Sequence, residues 1–249
     1  MSPFAKPFFI AQTFLTRIPA PKISHISEEE LSYSVLYYPV IGLCIGIFLT
    51  LLTYLFSSFT TAHSVVAALI VMLWVLITGA LHLDGLADTA DGFLGGQGSA
   101  IKTLEIMKDP VSGPAGIASI FLVLILKYSA LLAILEAGLS FWVILFSPMI
   151  ARAIAIGLLT YTPVSQEKGL AFELKKTSFP EFVAVILLLM TIIVFVTTNL
   201  YVLIALIFLV YIIRSWAISR LNGVTGDILG LMIELTEALF LVMAILVLS

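Results

Sequence analysis

The chain has 249 residues, of which 61% are hydrophobic and 11% are charged, and its formal net charge is −3. An apolar share this large exceeds that of soluble globular domains and predicts an integral membrane protein. The slightly acidic balance gives no basic surface that would suit a nucleic acid polymer, so we exclude that class of partner.

The N-terminal segment, residues 3–20, has apolar side chains at near-helical spacing that prolines bracket and interrupt. Such a pattern predicts a helix that lies in the membrane interface rather than one that crosses the bilayer. A polar connector follows, in which Ser27 precedes the three glutamates at 28–30. Serine is a favoured N-cap and acidic residues are favoured in a first turn, so a helix is expected to begin there.

Seven apolar runs follow, each close to the ~20 residues that a helix needs to cross a bilayer. They lie at about 35–56, 62–81, 114–137, 139–162, 181–199, 200–218 and 227–248. The division between the fifth and sixth runs depends on the polar residues Thr197, Thr198 and Asn199. The sequence therefore predicts an all-α fold, a polytopic membrane helix bundle of about seven spans with an N-terminal interfacial helix. Residues 1–249 are expected to form a single integral membrane domain.

The basic residues alternate between the two ends of the predicted spans. Those outside the spans precede the first run, lie in every second connection, or flank the end of the sixth run: Lys6, Arg17, Lys22, Lys102, Lys108, Lys168, Lys175, Lys176, Arg214 and Arg220. The intervening connections, near residues 57–61, 138 and 197–200, contain no Lys or Arg. By the positive-inside rule, the N-terminus and the charged connections are expected in the cytoplasm.

The stretch with the clearest chemistry, residues 79–92, follows the second apolar run. Asp84, Asp88 and Asp91 are spaced by four and three residues, so on an α-helix they share one face within roughly 60°. Three carboxylates on one face repel each other unless a cation lies among them. A Mg²⁺ ion bound by a few carboxylates and by substrate phosphates fits this pattern. The alternative is a solvated acidic face.

A second acidic group begins the last apolar run. Asp227 and Glu234 are seven residues apart and share a helix face, and Glu237 lies about 60° from Glu234. Carboxylates in a span are unfavourable against lipid, so we expect them to face the bundle interior. One interpretation is a metal–phosphate site shared with residues 84–91. The other is structural pairing with the two basic residues that fall inside spans, Lys127 and Arg152.

Five stretches carry a resemblance to a known family, and together they span nearly the whole chain. They are residues 14–21, 38–42, 82–92, 105–109 and 225–234. The most specific is the His-Leu-Asp-Gly-Leu-Ala-Asp block at 82–88. In these stretches the chain resembles the cobalamin synthase family, the adenosylcobinamide-GDP ribazoletransferases.

The resemblance implies a Mg²⁺-dependent, multi-pass enzyme of the bacterial or archaeal cytoplasmic (inner) membrane. The implied reaction, the last step of nucleotide loop assembly, joins adenosylcobinamide-GDP to α-ribazole or its 5′-phosphate. It gives adenosylcobalamin or its 5′-phosphate and releases GMP. The expected partners are these two substrates and the lipid bilayer, and the positions of the basic residues predict an active site that faces the cytoplasm. Whether the chain forms a homo-oligomer is left open.

Candidate roles in this reaction follow from the chemistry of the side chains. Asp91 and Glu234 are the candidate general bases. The candidate metal ligands are carboxylates, because metal ions bound there can neutralise charge on a transferred phosphoryl group: Asp84, Asp88, Asp91 and Asp227. The candidate substrate-binding residues are His82, Lys108, Asp109, Arg152, Thr225, Gly226 and Glu237. For His82, a structural hydrogen bond is the alternative.

Two other functions are consistent with acidic residues in a membrane bundle. A transporter or proton-coupled carrier explains acids inside spans, but transporter sites usually lie near the bilayer midplane rather than at one face. An intramembrane prenyltransferase also uses spaced aspartates and Mg²⁺ to hold a diphosphate. The aspartate spacing is also similar to that of the CDP-alcohol phosphotransferases, although the Ala-Arg that follows in that family's motif is missing here.

Overall fold

The computed structural model describes residues 5–139, 141–177 and 179–248, and these ranges contain twelve α-helices and no β-strand. The helices are α1 (Ala5–Leu15), α2 (Glu28–Ser34), α3 (Tyr38–Phe59), α4 (His63–Thr78), α5 (Leu81–Gly95), α6 (Ala100–Ile106), α7 (Pro114–Glu136), α8 (Trp142–Tyr161), α9 (Leu170–Lys175), α10 (Pro180–Thr197), α11 (Leu200–Leu221) and α12 (Gly226–Leu248). A 3-10 turn, Val35–Tyr37, joins α2 to α3. The predicted all-α class is confirmed. Residues 3 and 4 of the predicted N-terminal segment lie outside the described residues.

Within these ranges, six helical segments are long and apolar enough to cross a membrane. They are the continuous segment Glu28–Phe59, which contains α3, and the helices α7, α8, α10, α11 and α12. Helices α4 and α5 together form a seventh candidate that is bent by 89° at the break between them. The chain is therefore a multi-pass membrane bundle, as the sequence predicted.

The bend between α4 and α5 shortens the second predicted span. Gly79 and Ala80 both have left-handed backbone conformations, with φ angles of 64° and 58°. Glycine adopts this conformation freely, whereas an alanine there is strained. The Arg17 side chain packs over Gly79, and the Arg17 N–H donates to the Ile77 carbonyl at 2.7 Å. The N-terminal segment thus contacts the turn at which α5 leaves the axis of α4.

Helices α8 and α12 form the centre of the bundle. Helix α8 is 78% buried over its most apolar window, whereas α10 and α11 are 17% and 22% buried. Helix α3 approaches α8 closely because Gly42 and Gly46 face it; a Cβ at Gly46 would lie 1.9 Å from the Leu145 carbonyl oxygen. Helix α12 packs against α5, α7, α8 and α11. Polar groups on α8 and α12 are therefore enclosed by other helices.

Two helices, α2 and α11, begin where the sequence predicted. The Ser27 hydroxyl accepts the Glu30 N–H at 3.1 Å, and the Glu30 carboxylate accepts the Ser27 N–H at 2.9 Å, which completes a capping box. The Asn199 side chain accepts the Tyr201 N–H at 2.9 Å and begins α11. The weak polar break at 197–199 is therefore a true boundary between two spans.

The short helices α1, α2 and α9 pack together beside the start of α3. Lys6 pairs with Glu30 at 2.7 Å, and Lys176 pairs with Glu28 at 2.6 Å. The rings of Tyr33 and Phe179 stack with their centroids 4.3 Å apart. Helices α1 and α9 both supply side chains to the cavity described next, so this layer helps to enclose the candidate site.

Candidate active site

Helices α5 and α12 cross in close contact because each has a glycine at the crossing. A Cβ atom at Gly85 would lie 2.8 Å from the Asp227 carbonyl oxygen, and one at Gly230 would lie 3.1 Å from the His82 carbonyl oxygen. Only a residue without a side chain allows two backbones to approach this closely. The crossing brings together the two acidic stretches that lie more than a hundred residues apart in the sequence.

A cavity of about 270 Å³ lies at this crossing. Six of the predicted site residues line it: His82, Asp84, Lys108, Thr225, Gly226 and Asp227. Asp84 and Lys108 are exposed at its opening together with Lys168, whereas most of the apolar lining is buried. The cavity therefore combines a charged rim with an apolar interior.

Asp88 belongs to the same acidic cluster, one turn along α5 from Asp84. It is partly buried and lies within electrostatic range of Asp84, Asp227 and Asp91. Burial and neighbouring negative charges both disfavour the carboxylate anion, and a bound cation would offset both effects. The predicted metal ligands Asp84, Asp88, Asp91 and Asp227 all offer carboxylate oxygens, so they fit a hard ion such as Mg²⁺.

The described residues contain no group of three or more His, Cys, Asp or Glu side chains already arranged to hold a metal ion. Magnesium usually keeps several water ligands and binds through one or two carboxylates and the substrate phosphates. The magnesium assignment to Asp84, Asp88, Asp91 and Asp227 therefore stays a prediction that the donor chemistry supports.

Asp91 is held by the start of α7. Its two carboxylate oxygens accept the N–H groups of Gly113 at 2.7 Å and Gly116 at 2.9 Å. A carboxylate at a helix N-terminus is stabilised by the unpaired N–H groups and the helix dipole. A Cβ at Gly116 would lie 2.4 Å from that carboxylate, so glycine leaves the space it occupies. Asp91 thus ties α5 to α7, and its predicted roles as metal ligand and base stay predictions.

Glu234 and Glu237 lie deeper along α12 in a buried ion-pair network. Lys127 Nζ lies 2.6 Å from a Glu234 carboxylate oxygen and 2.5 Å from one of Glu237. Arg152 donates to the Glu237 carboxylate and, at 3.1 Å, to the Pro148 carbonyl. All four charged side chains are at most 4% exposed. The network contains two cations and two anions, which is the structural pairing that the sequence left as an alternative.

This pairing bears on three predicted site residues. Glu234, Glu237 and Arg152 are absent from the described residues that line the cavity, as are Asp88, Asp91 and Asp109. Their predicted roles, base for Glu234 and substrate contact for Arg152 and Glu237, stay predictions without support from cavity contacts. Lys127 Nζ also lies 4.7 Å from the centroid of the Trp74 ring, so the network has an aromatic neighbour as well.

The two predicted residues at the end of α6 have different surroundings. Lys108 lines the cavity and lies within electrostatic range of Asp227. The Asp109 carboxylate instead accepts the Val111 N–H at 2.9 Å in an exposed turn. Lys108 is therefore placed to meet a ligand, whereas Asp109 stabilises the connection to α7.

The start of α12 is positioned by a neighbouring loop. Val224 donates its N–H to the Pro163 carbonyl at 2.8 Å, and its own carbonyl accepts the Ser165 N–H at 2.9 Å. The Thr225 hydroxyl accepts the Ile228 N–H at 3.3 Å and lies 3.4 Å from the Asp227 carboxylate. The loop after α8 thus fixes the turn from which Asp227 projects.

Several cavity residues had no role in the sequence-based prediction. They come from the loop after α8 and from the first and third helices: Gln166, Lys168, Phe14, Leu15 and Tyr38. The sequence did contain signals for four of them. Lys168 is a basic residue in a charged connection, which was used only for topology, and Phe14, Leu15 and Tyr38 lie in two of the stretches that carry the family resemblance. Their meeting at one cavity follows from packing between distant segments.

Replacement of Gly85 by alanine is expected to separate α5 from α12. The new Cβ would meet backbone atoms of Asp227 at 2.8–2.9 Å, which cannot move as a side chain can. Overpacking of this kind costs about 1–3 kcal/mol, so we expect a lower thermal midpoint in detergent-purified protein. Gly95→Ala at the end of the same helix is the control, because its Cβ would meet only the tip of the Ile106 side chain. Equal behaviour of the two variants would contradict the close-crossing argument.

The chain is similar to a known family and to curated proteins over nearly its full length. A family model described as Cobalamin-5-phosphate synthase matches residues 7–245. A protein from Pseudomonas entomophila (strain L48) is 39% identical over 240 residues, which are 95% of this chain and 97% of that protein. A protein from Pseudomonas syringae pv. syringae (strain B728a) is 40% identical over 246 residues, covering 96% and 99%. Both are named adenosylcobinamide-GDP ribazoletransferase. No solved structure matches the chain.

Proposed function

The chain belongs to the cobalamin-5-phosphate synthase family, and from this membership we infer that it is an adenosylcobinamide-GDP ribazoletransferase of cobalamin biosynthesis. Its substrates are then adenosylcobinamide-GDP and α-ribazole or α-ribazole 5′-phosphate, and its products are the complete corrinoid and GMP. The structural observation that supports this inference is the cavity at the α5–α12 crossing, where Asp84 and Asp227 meet Lys108.

The reaction makes specific demands on the site. A ribose hydroxyl of the acceptor forms a bond to the phosphorus next to cobinamide, and the bond from that phosphorus to the GMP oxygen breaks. The hydroxyl proton passes to a base, and GMP leaves as an anion. Such a transfer is accelerated mainly by positioning and by neutralising charge. The site therefore needs cations near the diphosphate and one acceptor for a proton.

We propose Mg²⁺ as the cofactor, held by Asp84, Asp88 and Asp227 with Asp91 as a fourth candidate ligand. When bound, it neutralises charge on the diphosphate and on the leaving group. The three carboxylates come from two helices that the glycine crossing keeps together, so the protein fixes their spacing before substrate arrives. Asp88 lies within electrostatic range of Asp84, Asp227 and Asp91, and the repulsion among these carboxylates supports a cation here.

Lysines and one carboxylate complete the proposed site. Lys108 and Lys168 line the cavity at its exposed rim and bind diphosphate oxygens through their ammonium groups. The two predicted bases, Asp91 and Glu234, are kept as alternatives, because each is already paired in the structure. Both Asp91 carboxylate oxygens accept N–H groups at the start of α7, and Glu234 lies 2.6 Å from Lys127.

We also propose that the site faces the cytoplasm and that the membrane is the cytoplasmic (inner) membrane of a bacterium or archaeon. The rim lysines Lys108 and Lys168 belong to connections that the positive-inside rule assigns to the cytoplasm. Guanine nucleotides and Mg²⁺ are available there. A carrier is less well supported, because the two aspartates that line the cavity, Asp84 and Asp227, lie near the starts of α5 and α12, whereas transporter sites usually lie near the bilayer midplane.

One reconstitution tests the proposed function. Detergent-purified protein is incubated with adenosylcobinamide-GDP, α-ribazole and Mg²⁺, and we expect formation of a complete corrinoid together with an equal amount of GMP. Chelation by EDTA is expected to stop the reaction, and added Mg²⁺ to restore it. Consumption of a prenyl diphosphate, or substrate flux across liposomes without GMP release, would instead support one of the two alternatives.

A further inference from the structure

A second cavity lies beside helix α1 and the connection that follows it. This groove has a volume of about 530 Å³ and is formed by residues between Ile10 and Leu31. Ile18 and Ile26 remain 43% and 49% exposed, so the described part of the chain leaves the groove partly uncovered. The apolar wall of the groove includes Ile10, Phe14, Ile18, Ile23, Ile26 and Leu31.

The groove also has a positively charged part. Arg17 and Lys22 are the charged side chains among the described residues that line it. Both are exposed, and neither forms an ion pair with an acidic side chain in the described ranges. Glu30, which follows the groove closely in the sequence, pairs instead with Lys6 at 2.7 Å. The groove therefore has two positive charges that no carboxylate balances, beside an apolar wall.

The position of the groove relative to the bilayer follows from its contacts with α4. The Arg17 N–H donates to the Ile77 carbonyl at 2.7 Å, and the Arg17 side chain packs over Gly79. These two residues lie at the end of α4, where the chain leaves the axis of that candidate span. Leu31 belongs to the candidate span that begins at Glu28. The groove therefore lies where one span ends and another begins, which is the level of the lipid headgroups.

We propose that this groove binds an anionic phospholipid of the surrounding bilayer. The lipid phosphate lies between Arg17 and Lys22, and the first part of an acyl chain lies on the apolar wall. Guanidinium and ammonium groups form charge-assisted hydrogen bonds with phosphate oxygens. Basic residues at the membrane surface attract anionic lipids. A net negative headgroup balances the two cations, whereas a zwitterionic headgroup brings a cation of its own.

The apolar wall distinguishes a lipid from a soluble phosphate compound. A nucleotide or inorganic phosphate would contact Arg17 and Lys22 and leave Ile18 and Ile26 in water, whereas an acyl chain covers them. The site is also separate from the candidate active site in its charged residues. Phe14 lines both cavities, but Arg17 and Lys22 are described only in the lining of the groove. The phospholipid therefore has its own cations, next to the helix that helps to enclose the candidate active site.

Native mass spectrometry of the detergent-purified chain tests the proposal, because it counts bound lipids and copies of the chain together. The probes are phosphatidylglycerol, which is anionic, and phosphatidylcholine, which has a phosphate but no net charge. We expect phosphatidylglycerol to bind at least about tenfold more tightly. Because each cation near a headgroup contributes a factor of about five, Lys22→Met and Arg17→Met should each weaken phosphatidylglycerol binding about fivefold. Phosphatidylcholine binding is expected to stay unchanged.

The variants are chosen to change charge and not the fold. Lys22 lies in a connection outside the helices, and methionine at position 17 keeps an apolar stem to pack over Gly79. Lys102→Met is the matched control, because Lys102 is an exposed lysine that is not among the described residues lining the groove. Equal binding of the two lipids would overturn the proposal. So would equal weakening in Lys102→Met and Lys22→Met, since the lipid would then respond only to overall surface charge.

Two other outcomes would assign the groove to a different occupant. If glycerophosphoglycerol, the same headgroup without acyl chains, displaced the lipid at equal concentration, the groove would be a site for a soluble phosphate ester. If the chain appeared as a dimer that retains no lipid and that Lys22→Met dissociates, the groove would be an interface between two copies. Either result would reject the lipid site, and neither depends on the proposed enzymatic activity.

Discussion

Asp84→Asn and Asp88→Asn are each expected to lower the rate of Mg²⁺-dependent transfer by at least about 100-fold while the protein still folds and reaches the membrane. Asparagine keeps the size of the side chain but removes the charge that a magnesium site needs. Asp88 is partly buried and lies within electrostatic range of three other carboxylates, so the cluster is repulsive without a cation. Removing one charge relieves that repulsion. We therefore expect a metal-free thermal midpoint equal to or above that of the wild type.

Two measurements on purified protein check this expectation together. GMP release reports the reaction, and thermal unfolding with and without Mg²⁺ reports binding, because a ligand that binds the folded state raises its stability. The magnesium-dependent increase is expected in the wild type and is expected to be lost in both variants. Glu136→Gln removes one exposed carboxylate at the end of α7 away from Asp91 and serves as the control. Near-normal turnover in both aspartate variants would remove the metal-site assignment.

The spans could be predicted because each depends on local composition. The break at Thr197–Asn199 was weak in hydropathy, yet Asn199 carries the chemistry of an N-cap and begins α11 in the structure. The end of the second span was predicted less accurately, because its apolar run continues to residue 81 whereas helix α4 ends at Thr78. The left-handed backbone at Gly79 and Ala80 and the contact with Arg17 decide that boundary. A contact between residues 17 and 79 cannot be read from periodicity.

The acidic cluster was predictable for a similar reason. The spacing of Asp84 and Asp88 fixes their shared face on any helix, and the structure places both near Asp227. The spacing of the acidic residues along a helix does not predict which group each carboxylate contacts in the folded protein. Asp227 and Glu234 share a face of α12, but one lines the cavity and the other pairs with Lys127 about 10 Å farther along the helix. The depth at which α7 places its lysine is a property of packing and is not encoded in either local stretch.

We expect the second large effect when the buried ion-pair network of Lys127, Arg152, Glu234 and Glu237 loses one charge. Lys127→Met leaves Glu234 and Glu237 with one remaining cation, Arg152, in a region where all of these side chains are at most 4% exposed. Removing one partner from a buried ion pair costs about 3–5 kcal/mol, because the other charge stays buried without compensation. We therefore expect a large fall in the folded yield and in the thermal midpoint of detergent-purified protein. Lys176→Met, which removes an exposed ion-paired lysine, is expected to leave both unchanged.

A double variant then separates a structural role of Glu234 from a catalytic one. Lys127→Met combined with Glu234→Gln removes one cation and one anion and leaves the pair between Arg152 and Glu237 intact. Because charge balance is restored, we expect the double variant to recover stability to within about 1 kcal/mol of the wild type. If Glu234 only pairs with Lys127, GMP release recovers as well, to within about tenfold of the wild-type rate. A double variant that is stable but inactive would contradict a purely structural role for the Lys127–Glu234 pair, because one of these two charged groups would then be required by the reaction itself.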